Sequence, residues 1–289
     1  MPGSHWYYQQ RRYLGYDLPE YRARLEKTIS RYGLPTDKRS WARDIDYRAW
    51  DHLWYMQPSS ALWWQCYLQQ AITDASLPGR PDLATITVLD HRWHFGEKHW
   101  DFNPGKIEYQ VRRALKGLNY LVLIEFEIFR NDQYLGPPLP GSVASHSSHG
   151  RVIAPHIQGI IWGKRPNRKQ RAEFAGGLFG APAIKIVHVH DFTGALQYMV
   201  KPPQGRSVSN REASHVLRWP WHDISLTLHH LLLTHLHAFS YPDLTFAGGE
   251  GRAILAHAKR LWRDYQPAAA GICVTRPPLE AGLVKRPRS

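Results

Sequence analysis

The sequence predicts an α+β protein built around an antiparallel sheet, and three observations predict it. Runs rich in β-branched residues alternate with helical segments between residues 83 and 201. Two of the strand-like runs follow one another with only a polar loop between them, an antiparallel rather than a parallel signature. Helical spacing of apolar residues dominates on both sides of this region.

Residues 1–80 read as a helical N-terminal region. Tyr21 to Ile29 has apolar residues at helical spacing until Gly33 and Pro35 stop them. A second helix is expected over Ser60–Ala71, with Ser59 or Ser60 as its N-cap. Pro78-Gly79-Arg80-Pro81 then marks a boundary. Residues 81–204 form the orderly part. Leu83–Leu89 is a strand, and Asn103-Pro104 caps and starts a helix through Ile107, Val111, Leu115 and Leu118. Tyr120–Phe129 is the second strand and Arg151–Trp162 the third. Arg168–Ala175 suits a short helix, Ala183–His190 a fourth strand, and Gly194–Lys201 a closing helix ended by Pro202 and Pro203. Strand, helix, strand, strand, helix, strand is the order of a ferredoxin-like, split-βαβ sheet. Helices are then expected on one face, with the other open and basic, the face on which nucleic acid lies in such folds. Residues 205–266 read as a helical C-terminal region, with helices over Ser225–Phe239 and Ala253–Tyr265. Residues 267–289 read as a basic, partly disordered tail.

Charge narrows the partners. The chain has 289 residues, with 37 Lys and Arg against 24 Asp and Glu, a formal net charge of +13. That surplus favours a polyanion, nucleic acid before an acidic membrane surface. The 12 Trp and 15 Tyr supply stacking surfaces of the kind single strands use, although most of them are expected to fill the core. Cys66 and Cys273 are the only cysteines, too few for a disulfide framework or a thiolate zinc site. The N-terminus shows no signal pattern, and no apolar run approaches the ~20 residues of a membrane span. The expected compartment is the cytoplasm, with no membrane partner.

The candidate chemistry begins on the third strand. His156 and Gln158 share one face of Ala154–Trp162, because side chains alternate along a strand. Buried polar groups need partners, and a metal ion held with a carboxylate from a neighbouring strand supplies one. Glu125 and Glu127 lie two apart on the second strand, and a charge within so apolar a run needs compensation. Glu125 is the first choice for the third ligand, Glu127 the reserve. Imidazole, amide and carboxylate together suit Mg²⁺ or Mn²⁺ more than zinc.

These residues resemble the HUH endonucleases, and among them the rolling-circle replication initiators. His156-Ile157-Gln158-Gly159 resembles the His-hydrophobic-Gln variant of their metal motif, and Tyr198-Met199-Val200-Lys201 their nucleophile motif. Thr85-Ile86-Thr87 sits at the place of the first motif, and Ile124-Glu125-Phe126 at the position of the third metal ligand. The resemblance covers about residues 82–203. It implies an enzyme that nicks and rejoins single-stranded DNA at a replication origin, through a covalent bond between the Tyr198 oxygen and a 5′-phosphate. Lys201, one turn from Tyr198, positions the phosphate or the phenolate in this reading. Host helicase and polymerase are the expected protein partners, since no G-x-x-x-x-G-K-[ST] motif of a helicase occurs in the chain. The alternatives are a nonenzymatic single-strand binder and a related transposase or relaxase.

Two rival clusters rank lower. His188-Val189-His190 has the literal His-hydrophobic-His form but stands only eight positions before Tyr198, which leaves no room for the intervening helix and strand. His229, His230, His235 and His237 belong to a helix with no carboxylate at matching spacing, and Gly248-Gly249-Glu250-Gly251 reads as a turn.

Overall fold

The computed structural model describes residues 26–32, 55–56, 58–130, 151–176, 182–200, 204–208, 216–219, 225–267 and 283–285. A helical segment at 26–32 comes first. It is followed by α1 (Pro58–Asp74), β1 (Ala84–Val88), a 3₁₀ turn (His91–Trp93), β2 (Phe95–Gly96), α2 (Pro104–Ala114), β3 (Asn119–Arg130) and β4 (Arg151–Trp162). Next come α3 (Arg168–Ala172), β5 (Ile184–His188), α4 (Phe192–Met199), β6 (Gln204–Val208) and β7 (Val216–Trp219). The chain continues through α5 (Leu226–Leu236), α6 (Tyr241–Leu244), β8 (Thr245–Gly248), α7 (Gly251–Asp264), β9 (Tyr265–Pro267) and β10 (Leu283–Lys285).

The main sheet runs β5-β1-β4-β3-β6-β7, with β2 also on β4 and β8 also on β3. Every pair is antiparallel except β3 with β6. The expected α+β class and antiparallel sheet are therefore present. The four strands read from the sequence stand side by side as fourth, first, third, second. Asn103 caps α2 as expected, its side-chain oxygen accepting from Lys106 N at 3.0 Å, with Pro104 at the start. Ile107, Val111 and Ala114, one helical stripe, are its buried residues.

Glu125 lies opposite His156 and Leu123 opposite Gln158, while Thr87 of β1 lies on the other side of Gln158. These residues share what we call the first face. Ile124, Phe126, Ile157 and Gly159 belong to the second. The second face is covered by α2 and α3: the Phe102 ring, just before α2, meets Phe126 edge-on at 4.8 Å, and Arg113 of α2 pairs with Glu173 beyond α3 at 3.1 Å. Gly159 allows β3 close in, because a Cβ there would stand 2.2 Å from the Leu121 carbonyl oxygen.

The first face is not the open surface the sequence suggested. Leu121, Leu123 and Ile160 on it have no exposed surface. Helix α4 lies against β4. Trp64 of α1 donates from Nε1 to Thr245 Oγ1 at 2.9 Å, where β8 presents Thr245 opposite Leu123. The β5 edge, with Lys185 and Val187, is exposed. The flanking helices explain the difference. α1 packs on α7, and residues of α1, α5 and α7 join the same hydrophobic cluster as the sheet. Burying both faces of a central strand removes more apolar area than a two-layer arrangement can.

Several bounds move. α1 starts at Pro58, so Ser59 and Ser60 are inside the helix rather than capping it. α4 starts at Phe192, after Asp191, whose side chain accepts from Gly194 N at 3.0 Å. α3 opens with a capping box between Asn167 and Gln170 and stops at Ala172. α5 and α7 occupy nearly the expected C-terminal spans, but the region also holds β6, β7 and β8. Leu283–Lys285, within the expected disordered tail, pairs as β10 with β9. The helix expected over Tyr21–Ile29 is described only from residue 26; Cys273, Pro202, Pro203 and the remainder of the tail lie outside the described residues.

Candidate active site

The register of the two longest strands builds the site. β3 and β4 pair along twelve residues, which sets Glu125 across from His156. The side chains meet: His156 Nε2 is 3.1 Å from Glu125 Oε2 and 3.6 Å from Glu127 Oε1. Both glutamates therefore converge on one imidazole nitrogen. His156, Glu125 and Glu127 are 3 %, 1 % and 6 % exposed, so the contact is dry. The other ring nitrogen, His156 Nδ1, is buried with no hydrogen-bond partner among the described residues. Gln158 is 2 % exposed. Its Oε1 accepts a hydrogen bond from Thr87 Oγ1 at 2.9 Å, which orients the amide and leaves one lone pair of that oxygen.

One member of this environment was missed from the sequence. His94 is 7 % exposed and sits between the 3₁₀ turn and β2. Burial first, then the charge of neighbouring His156, pushes its pKa down to about 3, and Glu127 pulls the other way. All three groups therefore feel one another. The run Asp90-His91-Arg92-Trp93-His94-Phe95 has no alternation or motif spacing that would have singled His94 out. Its one signal is a density of His and aromatic residues beside the first strand.

Tyr198 is half-buried on α4, which packs on β4, the strand of His156 and Gln158. The helix ends at Met199, and Val200 leaves helical geometry with φ −112° and ψ 79°. Lys201, the partner expected for Tyr198, lies outside the described residues. A second constraint comes from β6. Gln204 pairs with Glu127, only six residues after Tyr198. At about 3.3–3.6 Å per residue, the chain limits the Tyr198 backbone to within about 20 Å of Gln204, and so, with an inter-strand spacing of about 5 Å, to within about 25 Å of the Glu127 backbone.

The rival clusters have their own partners. The His188 and His190 rings meet edge-on at 4.8 Å on an exposed edge strand. His229 Nδ1 bonds Thr28 Oγ1 at 2.8 Å, His230 stacks on Tyr32, and His235 stacks on Trp100 with 4.2 Å between centroids. Gly249 adopts φ +56° in the turn after β8, and Glu250 N donates to Asn119 Oδ1 at 3.0 Å, so the glycine-rich stretch is a turn locking α7 to the sheet.

Among the described residues no three His, Cys, Asp or Glu side chains stand, as placed, in the arrangement of a metal site. No described helix is long and apolar enough to cross a membrane. No family model, curated protein or solved structure matches this chain.

Proposed function

We propose that this protein nicks and rejoins single-stranded DNA at a replication origin, with Tyr198 as nucleophile and a divalent cation held by His156, Gln158 and Glu125. The observation that carries the reading is the pairing of Glu125 with His156 across β3 and β4, together with a tyrosine-bearing helix packed on β4. The strand order, fourth-first-third-second, is that of a ferredoxin-like, split-βαβ sheet and supports the HUH-type reading.

The donor types suit a divalent ion: an imidazole meets two carboxylates, the Gln158 amide stands on the same face of β4, and His156 Nδ1 is buried with no hydrogen-bond partner among the described residues. When bound, Mg²⁺ or Mn²⁺ supplies Lewis-acid polarisation of the scissile phosphate. The chain's own groups do the rest. The Tyr198 oxygen loses its proton and bonds to phosphorus, the bond to the 3′ oxygen breaks, and that oxygen takes a proton. Rejoining reverses each step, so bond energy is kept in the phosphotyrosine. Lys201, in this reading, steadies the phosphate or the phenolate. The net charge of +13 suits the backbone of the substrate.

A nonenzymatic single-strand binder is the second reading. The direct contact of His156 with both carboxylates favours it, since the Nε2 nitrogen that would ligate a cation lies against the carboxylates themselves. Incubating the full chain with a labelled origin-like oligonucleotide and Mn²⁺ separates the two. The enzyme leaves a denaturation-resistant protein–DNA adduct that Tyr198→Phe abolishes; a binder shifts mobility only. An adduct surviving in Tyr198→Phe would remove Tyr198 from the mechanism.

A further inference from the structure

We propose that His94 is a fourth donor to the cation site, adding a second imidazole to His156, Gln158 and Glu125 and giving the site a preference for a transition-metal divalent ion over Mg²⁺. This rests on the cation reading of the site given above.

The placement follows from register. Phe95 pairs with Ile153 and Gly96 with Val152. His94 is itself extended, with φ −79° and ψ 146°. Its side chain therefore projects to the opposite face from Phe95, as side chains alternate along extended backbone. Ile153 lies on the second face and Ala154 on the first, so His94 falls on the first face beside Ala154. Glu127 is paired with the same Ala154 from the other side. Across three strands the order is His94, Ala154, Glu127, with His156 one step along β4 on the same face. Ala154 is small, and it lets the longer side chains on either side meet above it. Diagonal neighbours in such a sheet stand ~7–8 Å apart, within reach of an imidazole. The residue is buried, at 7 % exposed, in a protein whose neighbouring His156 has an unsatisfied nitrogen.

The 3₁₀ turn makes this possible. β1 and β2 both run along β4, and His91–Trp93 between them resets the alternation before the chain rejoins the strand. The consequence is chemical. At Gln158 the chain places an amide, whose oxygen already accepts from Thr87. His94 returns a second nitrogen from the other side. Carboxylate and amide oxygens suit Mg²⁺, whereas two imidazoles shift preference toward Mn²⁺, Co²⁺ or Zn²⁺.

The test measures binding, with no nicking required. Full-length chain stripped with chelator is titrated calorimetrically with Mn²⁺, Zn²⁺ and Mg²⁺. The native protein is expected to bind Mn²⁺ and Zn²⁺ at least tenfold more tightly than Mg²⁺. His94→Ala is expected to lose at least tenfold for the first two and to change Mg²⁺ binding by less than threefold. His94→Gln, closer in size, guards against misfolding and is expected to show the same loss for Zn²⁺ at an unchanged melting temperature. Mn²⁺ and Zn²⁺ binding as tight in both variants as in the native chain overturns the role of His94 and leaves the cation site standing. Absence of any cation binding by the native chain overturns the site itself.

Discussion

Replacing Asp90 with Ala is expected to cost about 2–4 kcal/mol of stability. Asp90 has no exposed surface and sits where β1 ends. Its carboxylate accepts from Arg92 N at 3.0 Å, from Arg92 Nε at 2.8 Å, from Gln110 Nε2 at 2.9 Å and from Ala175 N at 3.3 Å, besides a second contact with Arg92 Nη2. One side chain therefore ties the 3₁₀ turn to α2 and to the segment after α3. The Arg92 side chain is half exposed, so water can replace part of its pairing and the estimate stays below that for a fully buried pair. Burial alone would raise the Asp90 pKa, but the hydrogen bonds from Arg92 prevail and hold it below the usual carboxylate range. The charged form is thus favoured by folding. Its stabilisation is complete above the unfolded value of about 3.9 and is lost as pH falls through the lower folded value. In a chain of this length ~2 °C accompanies each kcal/mol, so Asp90→Ala should melt about 4–8 °C lower at pH 7. Urea titrations of the native chain, Asp90→Ala and Asp90→Asn at pH 7, 5, 4 and 3 should show the gaps narrowing below pH 4. A loss under 0.5 kcal/mol at pH 7, or a gap that widens in acid, would refute the reasoning.

Gly159→Ala should cost at least about 3 kcal/mol, read as a shifted urea midpoint, because the new methyl meets backbone atoms of Leu121 and Val122 at 2.2 and 2.6 Å. A variant within 1 kcal/mol of the native chain would mean that β3 and β4 part more easily than their twelve paired residues imply. Burial pushes the Cys66 thiol well above its ordinary pKa. Iodoacetamide at pH 8 followed by peptide mapping should leave Cys66 unmodified in the folded chain and alkylate it in guanidinium; native modification at the rate of a free thiol would contradict its burial.

Where local chemistry alone fixes an element, the sequence revealed it. Arg151–Trp162 was readable to the residue, because an apolar run with two polar groups on one face has a single workable orientation. Asn103-Pro104 likewise announced α2. Asp191 carried an equally plain capping signal, and α4 was nevertheless expected to start at Gly194. The four-residue β8 and two-residue β2 carry too little pattern to be seen, and they exist because β3 and β4 offer them edges. His94 was hidden for the same reason: its position depends on a pairing two residues long. The pairing of Glu125 with His156 was anticipated, but not the depth of its burial, which comes from α1 and α4 and from contacts far along the chain.

The outer edge of β3 is shared by two tenants. β8 takes Tyr120–Leu123, β6 takes Glu127–Phe129, and Glu125 falls in the interval between them. Because β6 follows directly from the exit of α4, the tyrosine-bearing helix and the acidic strand are geared together through a leash of a few residues. A polymer wedged beneath α4 would drag on the far half of β3 and leave the near half anchored by β8. The strand would then flex across Ile124, Glu125 and Phe126, the stretch that neither tenant grips.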